Sequence, residues 1–244
     1  MRAQIEAFPG LQPDPATLRG SRVESVLLTN ADLDHVLGII LLREGETLSL
    51  HATPAMRESL VNGLNLHALL EVFCGLRWIE PPTALQPLLN RAGQASGLSY
   101  RAILLPGGPP RFDQNSSHND GHSLAYQIVD DRTAGKLLVA PDVGSVTDDL
   151  SVVLKESDAI LFDGTFWSED ELRQIEPASR TASQMGHLPI DTGSLEILRK
   201  LPARLKIYTH INNTNPILRP DTLERVEVEA SGVTVGHDGL EFEL

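Results

Sequence analysis

A chain of 244 residues with 41% hydrophobic and 22% charged content can bury a sizeable core as one large domain, and nothing in it demands two. The formal net charge of −13 argues against a nucleic-acid partner, whose phosphates need an excess of Lys and Arg, and against anchoring on an anionic membrane. A single cysteine, Cys74, excludes an internal disulfide and fits a reducing, cytoplasmic setting, and neither a signal peptide nor a membrane-spanning apolar run is visible.

In chain order, Arg2–Phe8 reads as a helix and Val23–Leu28 as a buried strand. The polar run Thr29-Asn30-Ala31-Asp32-Leu33-Asp34-His35 follows that strand at once and opens onto a helix-like Val36–Leu42. Thr47–His51 is a second strand. Thr53-Pro54 supplies the N-cap and first-turn proline of a helix to about Asn62, closed by Gly63. Cys74 reads as a small packing group, Leu76–Ile79 and Leu98–Leu105 as strands, and Pro106-Gly107-Gly108-Pro109-Pro110 as a loop.

Leu124–Val129 and Lys136–Ala140 read as paired strands about a turn at Asp130-Asp131 and Gly135. Asp148–Glu156 is helical, Ala159–Asp163 is a short strand, and Ser168 with Glu171 forms a capping-box signature for a helix to follow. Asp191–Leu201 is a helix and Leu205–Thr209 a strand. A helix near Thr222–Ala230 precedes a hairpin of Val233–Val235 and Leu240–Phe242 turned at Asp238-Gly239. With no repeat, low-complexity tract or linker, residues 1–244 read as a single α/β domain with sheets inside and helices outside.

Ligand-type side chains stand at the ends of these strands, where layered folds carry catalytic loops. They are Asp32, Asp34 and His35; His118-Asn119-Asp120-Gly121-His122; Asp142; and His210. Singly, each has an ordinary explanation as a turn former, a cap or a hydrogen-bonded histidine. Jointly that explanation weakens. His51, His67 and His237 lack such company and read as structural or exposed, and Asn212-Asn213-Thr214-Asn215 either caps a turn or recognises substrate carboxylates.

These residues give a resemblance to the metallo-β-lactamase fold. The run ending in Asp34-His35 is similar to a His-x-His-x-Asp-His motif in which Asn30 and Asp32 replace the two leading histidines. More narrowly, Leu28–Gly38, Met185-Gly186-His187-Leu188-Pro189-Ile190 and Thr209–Leu218 resemble the coenzyme PQQ synthesis protein B family of pyrroloquinoline quinone (PQQ) biosynthesis. The resemblance implies an αββα sandwich holding one divalent metal on Asp34, His35, Asp142 and His210. The other metal site of the parent fold would be dismantled, because asparagine is a poor ligand for zinc-like ions.

Fe(II) is the metal the resemblance favours, and Zn(II) accepts the same ligands. Asn30 and Asp32 then face substrate, His122 serves as acid or base or as a structural hydrogen bond, and His187 belongs to the site or flanks a helix. The implied activity is oxidative hydroxylation of a small tyrosine-derived, glutamate-crosslinked peptide intermediate, with other pathway proteins as partners and a homo-oligomer allowed. A carrier of PQQ or its precursor toward the periplasm, or a single-metal hydrolase, is the alternative. Family members start several dozen residues earlier, with a Gly-rich strand and a cysteine cluster resembling a zinc site. This chain has neither, so a misassigned start or a shortened form with exposed sheet edges is expected.

Overall fold

A computed structural model describes residues 2–16, 20–44, 46–113 and 116–244. Its elements are α1 (Arg2–Ala7), β1 (Ser25–Leu27), α2 (Leu33–Val36) with a 3₁₀ extension to Leu42, β2 (Leu48–His51) and α3 (Pro54–Glu58) with a π turn to Gly63. Then come α4 (Leu66–Glu71), β3 (Leu76–Ile79), β4 (Gln86–Leu89), β5 (Ala95–Leu105), β6 (Ser123–Asp130), β7 (Lys136–Ala140) and α5 (Asp148–Glu156). The last are β8 (Ala159–Asp163), α6 (Leu195–Lys200), β9 (Leu205–Thr209), α7 (Leu223–Ala230) and β10 (Thr234–Val235).

Strands β1, β2 and β3 form a parallel three-stranded sheet. The remaining seven run in the order β10-β9-β8-β7-β6-β5-β4, antiparallel from β4 to β7 and parallel from β7 to β10. Alternation along β5 and β6 splits their side chains between two cores. Tyr100, Ala102, Leu124 and Tyr126 join Leu28, Leu50, Met56 and Leu60 on the side of the small sheet and α3. Ile103, Leu105 and Ala125 join Leu138, Leu150, Phe162 and Leu198 on the side of α5 and α6. Helices thus cover the outer faces and the sheets meet between them.

This layering positions the site. Parallel β7, β8 and β9 deliver Asp142, Asp163 and His210 to one edge, at the carboxyl ends where open sheets bind ligands. From the small sheet, the chain leaving β1 reaches the same edge through an Asn30–Ser123 bridge and a 2.7 Å hydrogen bond from Leu124 N to Thr29 O.

Local expectations hold where the signal is a cap: Thr53 accepts from Met56 N at 3.1 Å and starts α3. Cys74 is buried, as a packing group should be. Elsewhere tertiary partners win. The terminal hairpin does not form, because β10 pairs in parallel with β9 and residues 240–242 join no strand. No α-helix follows Ser168 either; only a 3₁₀ turn at Leu172–Gln174 does, since Glu171 accepts from Trp167 N at 2.6 Å and from the Thr214 hydroxyl. Strand β4, missed in the sequence, carries Pro87 inside it, which an edge strand tolerates. No helix among the described residues is long and apolar enough to cross a membrane.

One buried polar group is not part of the site. His51 is 2% exposed, its Nδ1 is hydrogen-bonded to the Tyr100 hydroxyl at 2.7 Å, and Nε2 has no partner among the described residues. Burial, then the nearby Arg77 charge, lowers its pKa to about 4. The unfolded chain, with a histidine pKa of about 6.5, therefore binds this proton first, and folding stability falls as pH drops from about 6.5 to about 4. Denaturant titrations across that window should show the fall in the native chain and a flatter profile in His51→Gln; parallel profiles would refute it.

Candidate metal centre

Three donor atoms converge at the edge where the two sheets meet. His35 Nε2 and His210 Nε2 are 2.9 Å apart, His210 Nε2 is 3.2 Å from Asp34 Oδ2, and His35 Nε2 is 3.7 Å from the same oxygen. Donors about 2.1 Å from a common ion stand roughly 3.0 Å apart when cis-octahedral and roughly 3.4 Å apart when tetrahedral, so the spacing fits one small divalent cation of either preference. The donor set, two imidazoles and a carboxylate, suits iron or zinc alike.

Each outer ring nitrogen is tied to a threonine: Thr29 Oγ1 to His35 Nδ1 at 3.0 Å, and Thr165 Oγ1 to His210 Nδ1 at 2.7 Å. Such ties fix ring orientation and leave Nε2 for the cation. Behind them lies Asp163, whose side chain is wholly buried. Its Oδ1 accepts from Thr165 N at 3.0 Å and from the Thr165 hydroxyl at 2.6 Å. Its Oδ2 accepts from Val143 N at 2.9 Å and from His187 Nδ1 at 2.7 Å. Burial alone would raise its pKa, but the bonds and charges of His187, His210 and Thr165 bring it down to about 2.

The same carboxylate acts on the histidines. Burial works against a charged His210, yet Asp163 and Asp34 push its pKa up to about 10. His187 is raised in the same sense by Asp163 and Asp142, while burial and the His210 charge lower His35. His210 itself has φ 56°, a left-handed conformation uncommon for a residue other than glycine.

Of the other residues singled out in the sequence, Asn30 is held as a donor. Its Oδ1 accepts from Asp32 N at 2.9 Å, while Nδ2 donates to Asp142 Oδ2 at 3.0 Å and lies 3.3 Å from His35 Nε2. Asp142 also takes the Ser123 hydroxyl at 3.3 Å and stands 3.6 Å from His187 Nδ1, so it is not among the three converging donors. Asp32 faces the cavity, its carboxyl raised by burial and by the charges of Asp142 and Asp34. His122 is buried and hydrogen-bonds the His118 carbonyl at 3.1 Å; its Nδ1 has no partner among the described residues. His187 lies inside the site, stacked on His210 with centroids 5.6 Å apart. The asparagine run caps a turn: Asn215 accepts from Ile217 N and donates to Gly164 O at 2.9 Å.

Asn30, Asp32, Asp34, His35, His122, Asp142, His187 and His210 border one cavity of about 580 Å³, which Pro106–Pro109, Arg111 and the segment from Arg180 to His187 also line. Sequence reasoning missed Asp163, Thr165, Arg111 and Arg180. Asp163 closes an apolar strand just as Asp142 follows one, the only advance signal.

A β-lactamase superfamily domain model matches residues 1–211. A coenzyme PQQ synthesis protein B from Cupriavidus taiwanensis is 35% identical, covering 99% of this chain and 79% of its own length. The protein of that name from Pseudomonas putida strain W619 is 36% identical over 100% and 80%. Among solved structures, zinc-bound PqqB from Methylobacterium extorquens superposes with a TM-score of 0.84 at 32% identity, covering 100% of this chain and 80% of the other. A diphosphatase of the PhnP family shares the fold, at a TM-score of 0.59 and 18% identity over 91% of this chain and 72% of its own.

Two predictions follow from the donor geometry. Thr165→Val, which frees His210 Nδ1, should weaken zinc binding roughly 10- to 100-fold in a chelator competition while the protein stays folded. An unchanged affinity would remove Thr165 from the centre. Because a cation must displace the proton of His210, whose pKa lies at about 10, apparent zinc affinity should rise close to tenfold per pH unit from about 7 to 9. A flat profile would place the proton elsewhere.

Proposed function

Because the chain belongs to the coenzyme PQQ synthesis protein B family, within the β-lactamase superfamily, we propose that it acts in PQQ biosynthesis as a one-metal oxidative hydroxylase. Its substrate in this reading is a small tyrosine-derived intermediate. The observation that carries the reading is the convergence of Asp34, His35 and His210 with Asn30 beside them as a hydrogen-bond donor. An amide NH₂ that donates to Asp142 Oδ2 cannot ligate a cation, so it favours a mononuclear centre.

Asp34, His35 and His210 would hold a divalent ion, which as Fe(II) would supply oxygen activation and as Zn(II) polarisation of water. The protein's own groups do the rest. Asp163 and Thr165 hold His210 so that Nε2 faces the ion, and Thr29 does the same for His35. Asp32, facing the cavity with a carboxyl that protonates more readily than an ordinary aspartate, can take a phenolic or amine proton at its free oxygens. His187 keeps Nδ1 on Asp163, which leaves Nε2 as its exchangeable position.

The zinc in the Methylobacterium extorquens relative favours single-zinc hydrolysis as the second reading. Anaerobic purification followed by metal analysis and oxygen uptake separates the two. The first reading expects about one metal per chain, lost in Asp34→Asn and His210→Ala, and oxygen consumption by the Fe(II)-loaded protein with a glutamate–tyrosine crosslinked substrate. Zinc-only protein that consumes no oxygen under any loading would overturn it. PQQ production undiminished in Asp34→Asn cells would point to carriage instead.

A further inference from the structure

We propose that Arg111 and Arg180 form a carboxylate-reading rim over the Asp34, His35 and His210 centre, selecting a small ligand with two carboxylates. The proposal rests on the cavity being a substrate site but not on which metal it holds. Among the described residues Arg111 and Arg180, both exposed, are the only Lys or Arg lining the cavity, which Asp32, Asp34 and Asp142 also line. Neither guanidinium has an ion pair or hydrogen bond among the described residues, although the chain carries 33 acidic against 20 basic side chains.

Their backbones are fastened. Arg111 follows the Pro106–Pro110 strap, whose prolines limit its freedom. The strap lies directly on the site: a Cβ on Gly107 would come within 2.7 Å of the Ser123 Cβ, beside the hydroxyl that serves Asp142. On the opposite segment, Thr181 N donates to Gln184 Oε1 at 3.0 Å and Arg173 Nε donates to Ser179 O at 3.1 Å, so Arg180 is bracketed by closed turns. Two planar forks on separate, anchored segments suit two carboxylates, each bound side-on.

The acidic floor settles the rest of the ligand's chemistry. A phosphate monoester would bring nearly two charges over three aspartates, whereas a dicarboxylate keeps its charges at the rim. An amine or phenol between the carboxylates then meets the floor favourably.

The test uses the zinc-loaded chain, without oxygen, and isothermal titration of L-glutamyl-L-tyrosine, L-glutaminyl-L-tyrosine amide and inorganic phosphate. Metal content is measured on the same samples. Arg111→Gln and Arg180→Gln should each weaken the diacid about tenfold, should leave the diamide within twofold, and should not alter metal content. Lys at either position should recover only part of the loss. Equal losses for diacid and diamide, no loss in either variant, or phosphate binding tighter than the diacid would overturn the proposal. If the native chain holds no metal while the arginine-dependent preference for the diacid persists, the metal reading fails and the rim stands.

Discussion

A buried carboxylate at the end of β8 organises the centre. Taking Asp163 out of water costs several kcal/mol unless donors replace the lost hydration, and the fold supplies them from separate stretches of chain. Val143 follows β7, Thr165 follows β8, and His187 arrives from the long segment before α6. The need to satisfy one charge thus draws together loops whose local sequences have no reason to meet. Thr165 then passes the constraint on to His210, whose left-handed backbone is kept because its ring is held from behind.

The second constraint is the seam between the sheets. Thr29 and Asn30 leave the small sheet and pair with the large one at Ser123 and Leu124, so the polar run after β1 is locked in register with β6. That register places Asn30 against Asp142 and Thr29 against His35. The amide therefore does two jobs: its carbonyl fixes the turn into α2 through Asp32 N, and its NH₂ donates to Asp142 Oδ2. A histidine there could ligate but could not both accept from the turn and donate to Asp142 in the same way.

Much of this was legible in the sequence where the signal was local. Most strand and helix segments follow from apolar runs, a threonine cap and glycine stops; the altered motif marked Asp34 and His35, and the end of the Leu205–Thr209 strand marked His210. What stayed hidden was non-local. β10 looked like half of a hairpin because its partner, β9, lies across a helix in sequence. β4 was masked by Pro87. Asp163 read as the last residue of a strand, since its donors come from distant segments, and Arg111 and Arg180 follow no spacing at all. Glu171 looked like a capping residue until Trp167 N and Thr214 claimed its oxygens.

Charge balance ties the centre to its ligand. Asp163 favours the charged forms of His187 and His210, and burial keeps the carboxyls of Asp32 and Asp142 readier to hold protons. A divalent ion on Asp34, His35 and His210 would expel the Nε2 proton and add one net positive charge to the cluster, which favours ionised Asp32 and Asp142. By linkage, a ligand that presents an amine or phenol to those carboxylates would in turn favour the ion. A cation beside the acidic floor favours its ionised form, so metal occupancy and substrate chemistry act on one electrostatic balance.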